Sequence, residues 1–89
     1  MPSKFDATPG NGKTLLAEGI ILKQVVVTGG SAVGEVKIYE AGNLVADLKA
    51  PINDTRQLPF IDPAFGGLTL KGPVTYDLIG TGSSVVFRY

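Results

Sequence analysis

The stretch Glu35-Val36-Lys37-Ile38-Tyr39-Glu40-Ala41-Gly42-Asn43-Leu44-Val45-Ala46-Asp47-Leu48-Lys49-Ala50 decides the fold. Its first arm alternates, with Val36 and Ile38 on one face and Glu35, Lys37 and Tyr39 on the other, which is the period of a half-buried strand. Ala41-Gly42-Asn43 supplies turn chemistry where a hairpin needs it. The return arm, Leu44 to Ala50, puts Leu44, Ala46 and Leu48 on one face and Asp47 and Lys49 on the other. Pro51 then ends the strand, because it has no N–H to give to a ladder.

The same punctuation continues in both directions. Ile20 to Thr28 is a β-branched run closed by Gly29-Gly30-Ser31, and it is expected to be one strand. Leu15 to Glu18 suits a short strand or a single helical turn. Asp54 to Ile61 reads as an edge strand, with Leu58 and Phe60 inward and Pro59 at the edge. Leu68-Thr69-Leu70 is short and alternating, and Val74 to Ile79 resumes after Gly72-Pro73. Gly80-Thr81-Gly82-Ser83 is a turn much like Gly29-Gly30-Ser31. The end alternates again, with Val85, Phe87 and Tyr89 on one face. About seven short antiparallel strands of this kind predict an all-β fold, a small β-sandwich or jelly-roll-like barrel. The expected organisation is an extended N-terminal arm over residues 1–13 and a β-sandwich domain over 14–89. The arm holds Pro2, Pro9, Gly10 and Gly12, and could reach about 40 Å when extended. Phe5 would be its anchor on a neighbouring subunit.

Composition narrows the function classes. The 89 residues make one domain, with 8 basic against 8 acidic side chains and neither cysteine nor histidine. A Ser-His-Asp triad cannot be built without histidine, and the commonest general base is missing. Thiolate zinc sites and disulfides are excluded as well. The acidic residues show no calcium-loop spacing. No catalytic residue, cofactor or metal is therefore expected, and the chain reads as non-enzymatic. Balanced, dispersed charge argues against nucleic acid as a partner. The longest apolar region, Leu15 to Val27, is broken by Glu18, Lys23 and Gln24 and is too short to span a membrane as a helix. Met1 to Asp6 lacks the apolar run of a signal peptide, so synthesis in a cytoplasm is expected. Domains this small often gain stability by association, which favours a homo-oligomer or docking on a larger assembly.

Two motif matches fail on context. Ala7-Thr8-Pro9-Gly10-Asn11-Gly12-Lys13-Thr14 fits a relaxed phosphate-loop pattern, with Lys13 for the phosphates and Thr14 for magnesium. Such a loop must follow a buried strand and open a long helix, and neither is present. Asn53-Asp54-Thr55 matches the glycosylation pattern but has no export signal beside it.

The hairpin Val36 to Leu48, and the ending from Gly67-Leu68-Thr69-Leu70 through Gly80-Thr81-Gly82-Ser83-Ser84-Val85-Val86-Phe87-Arg88-Tyr89, resemble small all-β virion proteins of tailed bacteriophages, of the head decoration or cement type. The resemblance lies between Gly30 and Tyr89. It implies a capsid decoration protein that clamps neighbouring shell subunits. The implied partner is the major capsid protein or another virion protein, and the implied location is the virion, assembled in the host cytoplasm. A tail, knob or fibre component is the alternative within the same particle. A carbohydrate-binding β-sandwich module is the alternative outside it, and it would use exposed aromatics as a stacking platform. The candidate interface residues are Phe5, Tyr39, Phe65 and Tyr89.

Overall fold

A computed structural model describes residues 3–59 and 68–89. Ten strands are found among them: β1 Ser3–Asp6, β2 Gly10–Leu16, β3 Ile20–Leu22, β4 Gln24–Thr28, β5 Gly34–Glu40, β6 Asn43–Ala50, β7 Thr55–Pro59, β8 Leu68–Leu70, β9 Val74–Ile79 and β10 Ser84–Arg88. They form two four-stranded antiparallel sheets and a two-stranded ribbon. The first sheet runs β1-β10-β4-β7, the second β2-β9-β5-β6, and the ribbon is β3-β8. The all-β sandwich expected from the strand pattern is the fold observed, but with ten strands where about seven were expected, because the N-terminal stretch adds two and the Ile20 to Thr28 run divides at Lys23.

One core lies between the sheets. The first sheet contributes Val25, Val27, Val85 and Phe87, and the second contributes Leu15, Val36, Ile38, Val74, Tyr76 and Leu78. Leu22 and Leu70 of the ribbon join the same cluster. Alternation explains the membership, since each of β4, β5, β9 and β10 sends every second side chain inward. The chain changes sheet at most connections. Among the described residues, β5–β6 is the one pair of consecutive strands joined as a hairpin within a sheet.

That hairpin closes at the expected place, but with Asn43 in the strand opposite Glu40 and not in the turn. Ala41 and Gly42 form a two-residue turn with φ of 47° and 86°. Both values are positive, the requirement of the type I′ turn that matches strand twist. The return arm departs from the expected alternation. Ile38 pairs with Ala46 but Tyr39 pairs with Leu44, so Val45 is an extra residue in a bulge. The bulge turns Leu44 away from the core, and its side chain is 55% exposed.

Two further expectations are corrected by the register. Ile20 to Thr28 is two strands, because Lys23 breaks the run and its amide bonds the Arg88 carbonyl. Buried positions are even-numbered before the break (Leu22) and odd-numbered after it (Val25, Val27). From Ser3 onward, the residues expected to form an extended arm are built into the sandwich. β1 pairs with β10 and β2 pairs with β9. Lys4 and Asp6 face inward at the margin of the first sheet, opposite Phe87 and Val85, and this polar inward pair is what hides the strand from a hydrophobicity pattern. The phosphate-loop match also lies in a strand: Gly10–Leu16 pairs with β9 through two register shifts. β7, Thr55–Pro59, is an edge strand within the stretch expected to form one. Phe60 lies outside the described residues.

The two similar glycine turns meet in space. A Cβ on Gly30 would stand 2.4 Å from the Gly82 backbone, and the Ser31 hydroxyl donates to the Thr81 carbonyl at 3.3 Å. Ser83 is fully buried beneath them, with its hydroxyl donating to the Ile79 and Gly80 carbonyls.

Two substitutions test these backbone readings. Gly30→Ala must push two backbones apart and is expected to lower stability by about 2 kcal/mol or more in urea unfolding. Ala41→Asn places Asn-Gly in the type I′ turn and is expected to raise stability by about 0.5–1 kcal/mol in the same assay.

Candidate interaction surfaces

The two outer faces differ in chemistry. On the second sheet, cross-strand register places Glu35 opposite Lys49, and Lys37 between Asp47 and Asp77. Tyr39 lies between Leu44 and Thr75 on that face. Its hydroxyl donates to Asp77 Oδ2 at 3.2 Å. Desolvation first, and the Asp77 carboxylate second, push the Tyr39 hydroxyl above the ordinary tyrosine pKa. Glu35 is also raised, foremost by the side chain of Asp47, then by burial and by the Asp47 charge, against the pull of Lys49 and Lys37. This face is a lattice of alternating charges with one aromatic ring among them.

The first sheet presents a different surface. Phe5, Val86, Val26 and Gln57 form a single row across all four strands, β1, β10, β4 and β7. Phe5 is 65% exposed at one end of the row. Polar but uncharged groups flank it. Gln24 Nε2 donates to Gln57 Oε1 at 2.8 Å, and the Thr28 and Thr55 hydroxyls are 3.1 Å apart. On β10 and β4 the outward residues are Ser84, Val86, Arg88, Gln24, Val26 and Thr28, of which Arg88 alone is charged.

Behind the Phe5 end is a polar tie. The Asp6 carboxylate accepts from Lys13 Nζ at 2.7 Å, from the Tyr76 hydroxyl at 2.7 Å and from the Thr8 amide at 3.0 Å. Lys13 Nζ also donates to the Thr8 carbonyl. Lys4 Nζ donates to the Thr14 carbonyl at 2.9 Å and sits 5.6 Å from the centre of the Tyr76 ring. Burial alone would raise the Asp6 pKa, but the bonds from Lys13, Thr8 and Tyr76 outweigh it and hold the carboxyl at about 2. Burial and the nearby carboxylate push Tyr76 the other way, well above the usual tyrosine value. Each group is thus moved away from neutral pH, Asp6 fixed as the anion and Tyr76 as the phenol. The tie joins β1, β2 and β9 through charge-assisted hydrogen bonds on one carboxylate.

The groups of the phosphate-loop match are committed elsewhere. Lys13 serves Asp6, and the Gly12 amide donates to Asp77 Oδ1 at 2.8 Å. Among the described residues no three His, Cys, Asp or Glu side chains are placed to hold a metal ion, and no helix is long and apolar enough to cross a membrane.

The candidate interface residues fall in separate places. Phe5 is on the outer face of the first sheet and Tyr39 on that of the second. Tyr89 is partly buried against the core. Phe65 lies outside the described residues. The register adds two residues that the sequence reading left out, Val26 and Val86. Val26 sits in a β-branched run that reads equally well as fully buried, and alternation sets Val86 on the face away from Val85 and Phe87, but only the cross-strand pairing places the two beside Phe5.

The tie has a pH signature. Asp6 is held at about 2 in the fold, against about 3.9 for a free aspartate. Its contribution is therefore complete above about pH 5 and is lost as the pH falls from about 4 towards 2. Asp6→Asn is expected to cost about 1–2 kcal/mol at neutral pH, with the gap from the unsubstituted protein closing as pH 2 is approached. Urea unfolding across that range measures it, and a gap independent of pH would refute the assignment. Comparison with known proteins gave no match: no family model, no curated protein and no solved structure is similar to the chain.

Proposed function

We propose that the protein is a non-enzymatic structural component of a phage particle, a capsid decoration or cement protein that clamps neighbouring shell subunits. The observation that carries this reading is the nearly uncharged outer face of the first sheet, with Phe5, Val86 and Val26 in line across it. The buried centres of protein–protein contacts are depleted in charge and enriched in aromatic residues. The second sheet has the opposite composition and suits solvent. A small sandwich with one charged and one uncharged face is suited to lie flat on another protein. The resemblance of the hairpin and the C-terminal strands to virion proteins supports a shell as that surface, with the major capsid protein as the proposed partner and the virion as the proposed location.

Magnitudes bear on the mechanism. A face of four strands, about 4.8 Å apart and about five residues long at about 3.3 Å each, covers roughly 300 Å². Stable complexes bury about 800 Å² per partner. One such face binds weakly alone, and a shell that repeats the same site many times supplies avidity to a linked pair or ring of copies.

Binding to purified shells tests the reading. The isolated protein is expected to co-sediment with mature heads in many copies over the lattice, and Phe5→Ser to lower the apparent affinity by about tenfold or more while leaving the thermal melt nearly unchanged. A few copies confined to the tail would instead favour the tail-component reading. No association with heads or tails would sink the proposal.

A further inference from the structure

β6 is the outer strand of the second sheet, and among the described residues its far edge has no partner strand. Two of its core-side residues show the consequence, while Ala50 at the end of the strand is fully buried. On β5, Val36 and Ile38 are 0% and 1% exposed, whereas Leu48 and Ala46, directly opposite them, are only partly buried. The bulge at Val45 confines regular pairing on the free edge to Ala46 through Ala50, and Pro51 ends it.

We propose that this edge pairs antiparallel with the β6 edge of a second copy of the chain, on a two-fold axis through Leu48, so that Asp47 of each copy lies opposite Lys49 of the other. Two constraints select that register. Directly paired residues must share a face of the sheet, so slips by one residue are excluded, since they would set Leu48 against a charged residue. Among the remaining registers, moving the strand by two residues one way sets Asp47 on Asp47, and moving it the other way sets Lys49 on Lys49. Like charges directly opposite destabilise a sheet. Only the Leu48-centred register opposes unlike charges, and symmetry makes it do so twice.

The charges extend this agreement beyond the edge. Within one copy, register gives the row Asp77–Lys37–Asp47. Across the axis that row continues into Lys49 and Glu35 of the second copy, because Lys49 and Glu35 are themselves opposite. Sign alternates at every step of the extended row. On the core side, the two Leu48 side chains meet at the axis, where each covers apolar surface the single copy leaves half open. Main-chain bonds along the edge supply the rest of the attraction, as in other strand-addition contacts. The product is an eight-stranded sheet, with the uncharged first-sheet faces of both copies on one side of it. This pairing stands apart from the shell reading and is tested on the free protein.

The experiment is analytical ultracentrifugation with charge-reversal variants. The unsubstituted protein is expected to show a species of twice the 9.3 kDa chain mass. Asp47→Lys alone, or Lys49→Asp alone, makes both oppositions repulsive and is expected to weaken self-association by about tenfold or more. Mixing these two variants makes the edges complementary again and is expected to restore the dimer, as is the double variant D47K/K49D. Amide exchange on the unsubstituted protein covers the case of a variant that does not fold: β6 edge amides are expected to gain protection as concentration rises, while those of β2 do not. A protein that stays monomeric at millimolar concentration overturns the proposal. So do single variants that associate like the parent, a mixture that stays monomeric, or β6 exchange that does not change with concentration.

Discussion

The sandwich depends on Tyr76. It is one of the largest fully buried side chains, and its ring lies 4.7 Å from that of Phe87, centre to centre, at 55°. Tyr76 belongs to the second sheet and Phe87 to the first, so this contact holds the two layers together at the core. A buried hydroxyl must find an acceptor, or the burial of the ring is undone by the cost of desolvating the phenol. Asp6 is that acceptor, and a partly buried carboxylate needs a cation in turn, which Lys13 provides. One aromatic in the core thus accounts for the capture of the first two strands, and for the presence of Lys4 and Asp6 on an inward face.

Polar residues drawn inward explain which parts of the fold were legible beforehand. The hairpin was legible because Val36 and Ile38 obey a simple alternation and Ala41-Gly42 sits where a tight turn belongs. The strand at Ser3–Asp6 was not, since a pattern of apolar residues cannot recognise an element whose inward groups are Lys4 and Asp6. Leu44 and Lys23 show a second kind of loss. Each lies beside a one-residue break in register, and a single extra residue reverses every side chain beyond it without changing composition. Phe5 and Tyr39 were legible as surface aromatics, because one precedes any strong strand signal and the other stands among charges. The row that gives Phe5 its context depends on strands distant in sequence lying side by side, and no local pattern records that.

The two outer faces divide the protein's work. Charge lattices on the second sheet keep one side compatible with water and give the β6 edge a pattern that another edge must match. The first sheet holds its polar groups in side-chain pairs, Gln24 with Gln57 and Thr28 with Thr55. Groups satisfied within a surface lose less when water is removed from it. A face of this kind can be covered without leaving many donors and acceptors unmet.

The order of strands in the first sheet carries a consequence for how the chain acquires its structure. β10 is the last strand in sequence, yet it stands between β1 and β4 in the interior of that sheet. Until it arrives, β1 has no neighbour there and Tyr76 has no Phe87 to meet. Among the described residues only the β5–β6 hairpin joins strands close in the chain; the other ladders close long loops, and such topologies fold slowly. The pairs β4–β7 and β5–β6 can form before β10, but β1 gains its place in the sheet, and Tyr76 its aromatic partner, only once β10 is in place.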